Sequence, residues 1–186
     1  MSAVDVEPLC LGVETLGVLS PLFRYPAEGY ARALDFARVF ETEIDAAAGS
    51  ALARFAAEIE PLSRGQLEST YTHTFDLAPS CSPYLGAHLF GDETPDRARL
   101  MVGLRMTYRN HGIDVDGREL PDHVAEVLEH ARCFEGAEWF ELGRLILIPA
   151  LDRMTAILES TTNPYRHLLD ATRRVARTLF EEGGLS

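Results

Sequence analysis

Apolar residues recur three and four positions apart along almost the whole chain, and that spacing admits helices and little else. Ala33, Phe36, Phe40 and Ile44 share one helical face, and Pro26 suits the first turn of that helix. Leu52, Phe55, Ala56 and Ile59 repeat the pattern behind Ser50, the expected N-cap. Ser63 and Gln66 have capping-box spacing ahead of Leu67, Tyr71 and Phe75. Thr94-Pro95 is a cap with a first-turn proline; Leu100, Met101, Leu104 and Tyr108 follow, and Gly112 ends the run. Val124, Val127, Leu128 and Ala131 make another face. Residues 137–159 form the longest apolar stretch, expected to be the central, most buried helix and to kink at Pro149. Asn163-Pro164 caps a last helix with Leu168, Thr172, Val175 and Leu179 inward and Arg166, Arg173, Arg174 and Arg177 outward.

No alternating β pattern of useful length appears, and no hairpin dipeptide separates two apolar runs. The expected fold is all-α: a single domain over residues 1–186, a bundle of about seven to nine helices, with 1–10 and 181–186 as frayed ends. The widest break is residues 77–93, punctuated by Pro79, Pro83, Gly86 and Gly91. Its prolines and glycines resist helix, while Tyr84, Leu85, Leu89 and Phe90 are too apolar for a solvated loop, so it reads as a loose lid over nearby surface. A second loop spans Gly112 to Arg118.

Charge narrows the partners. A net charge of −12 repels phosphate backbones, so nucleic acid is not an expected partner and basic peptides are. All 17 positive residues are arginine, which excludes a P-loop lysine and a Schiff-base lysine together. Cys10, Cys81 and Cys133 are few, odd in number and far apart, the usage of a reducing compartment. Met1–Leu11 has no basic n-region, and the apolar run Leu145–Leu151 is far shorter than the ~20 residues of a membrane span, so a cytoplasmic protein without membrane insertion is expected.

Two short stretches concentrate the chemistry: Tyr71-Thr-His-Thr-Phe75-Asp76 and Arg118-Glu119-Leu120-Pro121-Asp122-His123. Tyr71 and Phe75 are four apart, on one helix face. The plain reading is core packing of two aromatics; the functional one is a groove with Asp76 as its acidic edge, suited to a basic, partly apolar peptide. In the second stretch Pro121 fits a helix N-terminus and Asp122 its first turn, where a carboxylate is favoured. Glu119 and His123, four apart, fit either general-base catalysis by a carboxylate beside an imidazole or a helix-start network with no chemistry. With no nucleophile motif near, the network or a binding role is the stronger reading. The six histidines show no H-E-x-x-H and the cysteines no zinc spacing, so no metal or cofactor is expected.

At these residues the sequence resembles the molybdenum-cofactor assembly chaperones of respiratory nitrate reductase, often labelled the delta subunit, within the wider redox-enzyme maturation chaperones. The likeness runs through Tyr71-x-x-x-Phe75-Asp76, Pro79-x-Cys81-Ser82, His88-Leu-Phe-Gly91, Glu119-Leu-Pro-Asp-His123, Ile148-Pro-Ala-Leu-Asp152 and Asn163-Pro-Tyr-Arg166. It implies a non-enzyme that retains no cofactor. Its partner would be the catalytic subunit of a molybdenum oxidoreductase, bound through the N-terminal segment of that subunit. Asp122 and His123 would match the binding motif, with Glu119 and Pro121 shaping its loop and Tyr71, Phe75 and Asp76 lining nearby surface. Where the family carries an arginine–glycine pair, this chain reads Arg97-Ala98, so the implied client is nitrate reductase or a related oxidoreductase. A monomer or weak dimer is expected. The competing readings are a permanent helical adaptor subunit and a small hydrolase built on Asp122 and His123.

Overall fold

A computed structural model describes residues 14–26, 45–114 and 119–182. The expected helix over Ala33–Ile44, Cys10, Arg118, and residues 1–10 and 183–186 lie outside the described residues. Among those described, regular structure is helical throughout, with one isolated antiparallel bridge, Tyr84 to His123.

Helix α1 (Glu14–Leu19) runs into a 3₁₀ turn, Ser20–Phe23. Helix α2 (Ala46–Ile59) starts earlier than its apolar spacing suggests. Asp45 is its cap, accepting from the Ala47 amide at 2.8 Å, and Ser50 lies inside the helix. Three alanines after Asp45 are the best helix formers available, so the helix nucleates there. Helix α3 (Arg64–Tyr71) has the capping box expected of Ser63 and Gln66, and leads into a π turn, Thr72–Asp76. Helix α4 (Leu85–Phe90) lies inside the segment expected to resist helix. Its glycines stand where they do no harm: Gly91 is the C-cap at φ +90°, a left-handed position that favours glycine. Leu85 and Cys81 are buried, and the backbone around Tyr84 is hydrogen-bonded to residues 122–124, so residues 77–93 carry a packed element and not a loose lid.

Helix α5 (Pro95–Asn110) begins at the Thr94 cap and ends before Gly112 at φ +74°, as its sequence requires. Helix α6 (Val124–Glu129) is short and wholly buried on one side. The run over residues 137–159 is not one buried helix. Helix α7 (Gly136–Glu141) buries no residue; a π turn, Leu142–Leu147, joins it to α8 (Ile148–Leu158). Pro149 sits at the start of α8, and the distortion that its ring and missing N–H demand takes the form of that π turn. Helix α9 (Tyr165–Arg177) presents a buried face to the core, and Asn163 caps it by accepting from the Tyr165 amide at 3.0 Å.

The core lies where α9 meets α2 and α8. Leu168, Leu169 and Val175 pack there with Phe55, Leu151 and Met154. The outward arginines of α9 are tied to carboxylates: Arg166 to Glu58, Arg173 and Arg174 to Asp170, Arg177 to Asp152. No described helix is long and apolar enough to cross a membrane.

Candidate functional site

Five of the seven residues singled out from the sequence line one cleft of about 280 Å³: Tyr71, Phe75, Asp76, Glu119 and His123. Arg24, Tyr25, Pro83 and Tyr84 complete it. The floor comes from α3 and its π turn. Tyr71 and Phe75 stack at 5.5 Å between centroids, and Phe75 meets Tyr165 edge-on at 4.9 Å. The Tyr71 hydroxyl donates to the Phe23 carbonyl at 3.2 Å. Both rings are buried, so they are core residues first and offer the cleft only their edges. Asp76 stands exposed on the rim.

The facing wall is set by the Tyr84–His123 bridge. The Leu85 amide donates to the Asp122 carbonyl and the Val124 amide to that of Pro83, each at 2.8 Å. The two rings meet edge-on at 5.5 Å. The Tyr84 hydroxyl donates to Glu119 Oε2 at 3.2 Å. Burial, with Glu119 beside it, pushes the Tyr84 hydroxyl up to about 12, so it stays a donor. The cleft's own cation, Arg24, is bound by Glu126 at 2.7 Å and Glu129 at 2.5 Å. Glu126 is held down to about 2, through its hydrogen bond to His130 and then through Arg24. Arg24 is thus offset, while Asp76 and Glu119 have no ion-pair partner among the described residues and give the mouth its acidic character.

Pro121 and Asp122 lie behind this wall. Asp122 is not in the first turn of α6: it precedes the N-cap, which is His123. Its carboxylate is fully buried and accepts from Arg97 Nε at 2.9 Å. Arg97 also donates to the Asp92 carbonyl at 3.0 Å and lies over the Tyr84 ring, 5.3 Å from its centroid. Gly86 is required beside the pair, because a Cβ there would fall 2.7 Å from Asp122 Oδ2. The Pro121 carbonyl accepts from the Tyr108 hydroxyl at 3.3 Å. His123 Nδ1 accepts from the Ala125 amide at 3.1 Å. Asp122 and His123 therefore serve separate partners and do not form an acid–base pair with each other.

Sequence reasoning missed Arg24 and Tyr25, which reach the cleft from a distant part of the chain. It also missed the partner of Asp122. Arg97 did carry a signal: it stands in the first turn of α5, where the helix dipole disfavours a cation, so an arginine there needs a buried carboxylate.

The buried imidazole makes stability depend on pH. Burial, with Arg24 nearby, pushes His123 down from 6.5 to about 4. The unfolded chain takes up this proton first, so the contribution is complete above about pH 6.5 and is lost as pH falls toward about 4. The expected loss is about 3 kcal/mol at most. Urea titrations across this range should show it, and His123→Asn, which still caps, should flatten the curve. An unchanged slope in that variant would remove His123 from the account.

The layout of helices is shared with a protein of known structure. The crystal structure of a putative redox enzyme maturation protein from Archaeoglobus fulgidus superposes with a TM-score of 0.61, covering 92% of this chain and 98% of that one at 19% identity. Residues 41–169 match the nitrate reductase delta subunit family, and the chain belongs to it. It is 30% identical over 131 residues to the nitrate reductase molybdenum cofactor assembly chaperone NarJ of Escherichia coli K12, across 70% of this chain and 55% of that protein. It is 29% identical over 109 residues to the probable chaperone NarW of the same strain, across 59% of this chain and 46% of that one. The chain thus spans about half the length of the curated relatives it matches. Ala98, where the resemblance leads one to expect glycine, is exposed, and its methyl group meets no steric demand for glycine there.

Proposed function

We propose that this protein is a system-specific chaperone that binds the N-terminal segment of a molybdoenzyme catalytic subunit and holds it for molybdenum-cofactor insertion and assembly. Membership of the delta subunit family and the named chaperone relatives support the reading. The observation that carries it is the cleft: aromatic edges from Tyr25 and Tyr84 between two uncompensated carboxylates, Asp76 and Glu119. An arginine or lysine of the client sits between the carboxylates, and an apolar side chain lies against the rings. The protein performs no chemistry in this role, and the cytoplasm is where such a client is made.

Calorimetry with a synthetic peptide of the client's N-terminal segment tests this. Affinity should fall as salt rises, since exposed charges are screened within about 8 Å at physiological ionic strength. Tyr84→Ala should weaken binding about tenfold. The pair Asp76→Asn and Glu119→Gln should weaken it and flatten its salt dependence. No binding at low salt would sink the proposal. A permanent adaptor would stay with the mature oxidoreductase through purification, whereas a chaperone is absent from it.

A further inference from the structure

We infer that a second copy of this chain docks along α5, in a reversible two-fold dimer whose crossing point is Gly103. Helix α5 stands at the edge of the molecule and keeps an unusual amount of apolar surface in water. Val102 is 59% exposed and Met106 60%, and Leu145, across a groove from them, 63%. Exposed apolar surface gathered in one place marks a contact. The two flanks of the helix differ in sign. On one side, Leu100, Leu104 and Thr107 form a groove of about 310 Å³ with the segment after Phe134, rimmed by Glu138 and Glu141. On the other, an apolar depression of about 460 Å³ at Met101 and Leu120 is rimmed by Arg105 and Arg109. None of these four charged residues has an ion-pair partner among the described residues.

That asymmetry selects the occupant and its orientation. A net charge of −12 opposes the approach of two copies, so apolar area alone is not enough and opposite charges must meet face to face. A two-fold axis running along α5 lays the Arg105 and Arg109 side of each copy over the Glu138 and Glu141 groove of the other. An axis across α5 would set acid against acid. Only the first arrangement is self-complementary, as a two-fold contact must be. Gly103 fits the same account. It sits inside a helix, where glycine costs stability, yet a Cβ on it would meet nothing within 4 Å. The fold gives no reason for glycine there; close approach of another helix does.

Sedimentation velocity of the full chain across micromolar concentrations tests this. The expected result is a reversible dimer. Glu138→Arg with Glu141→Arg should weaken it at least about tenfold, and adding Arg105→Glu with Arg109→Glu should restore it, because the reversed charges match again. Gly103→Trp should abolish it. These positions are exposed, so circular dichroism should confirm an unchanged fold in each variant. Tyr84→Ala, which tests the peptide cleft, should leave the dimer intact, so the two proposals fail separately. A monomer at every concentration would overturn the inference. So would a dimer indifferent to the acidic reversals, a fourfold variant no tighter than the double one, or a monomeric protein whose groove captures a basic helix peptide instead.

Discussion

Asp122→Ala is expected to lower the free energy of unfolding by about 3–5 kcal/mol, the cost of leaving a buried charge without its partner. Arg97 is 6% exposed and its Nη2 lacks a hydrogen-bond partner; its other ion pair, to the exposed Asp92 at 3.2 Å, remains but does not replace the buried carboxylate. For a chain of this size the melting temperature should fall by about 10 °C. A carboxylate in the first turn of a helix, which the sequence suggests, would cost only about 0.3–1 kcal/mol, so the size of the loss separates the two accounts. The double variant Arg97→Met with Asp122→Leu should recover most of the loss, because it removes both charges from the interior. Denaturant unfolding of both variants beside the parent chain measures this. A loss below about 1 kcal/mol for Asp122→Ala would mean that the pair does not hold the wall. Because Asp122 is fully buried, any effect of its loss on peptide binding is transmitted through Tyr84 and His123.

Gly143→Ala should be nearly as damaging. Gly143 is buried in the π turn ahead of α8, and a Cβ there would overlap the ring of Phe180. Phe180 is itself fully buried and packs on Trp139 at 4.1 Å between centroids, so it cannot withdraw without opening the packing of α7 on the π turn Thr178–Glu182. Overpacking of this kind costs about 1–3 kcal/mol and sometimes more. Phe180→Leu alone should also destabilise, but combined with Gly143→Ala it should be milder than the sum of the two, since the smaller side chain makes room for the methyl group. Strict additivity, measured by thermal or urea unfolding, would show that the two residues do not meet.

Both expectations depend on contacts that no local pattern announces, and that marks how far the sequence could be read. Periodicity and capping chemistry are local. The Ser63–Gln66 box, the Thr94-Pro95 start, the Asn163 cap and the Gly112 stop were therefore legible, and with them the all-helical class. The cleft was legible in part, because Tyr71, Phe75 and Asp76 lie within one turn and Glu119 and His123 within another, and each group could be recognised alone. That the two groups face each other was not. Their meeting depends on the bridge between Tyr84 and His123, 39 positions apart, and on Arg24 and Tyr25 arriving from the segment just after the 3₁₀ turn Ser20–Phe23. Propensity also misjudged residues 85–90: glycine and proline spacing argues against a helix, but burial of Leu85 and backbone bonds to residues 122–124 outweigh a weak local preference.

By itself, then, the sequence determined most of the helices, their inward faces, the net acidity and the motifs of the family, because each is encoded in composition or in residues a few positions apart. Only the tertiary structure decided which of the motif residues line the cleft and which lie buried behind it. Asp122 reads as a surface carboxylate until Arg97, 25 positions away, is folded against it. Once buried and paired, it braces the wall, and the carboxylates at the mouth of the cleft are those of the exposed Asp76 and the half-buried Glu119. Burial is a property of the assembled core, and no short stretch of sequence contains it.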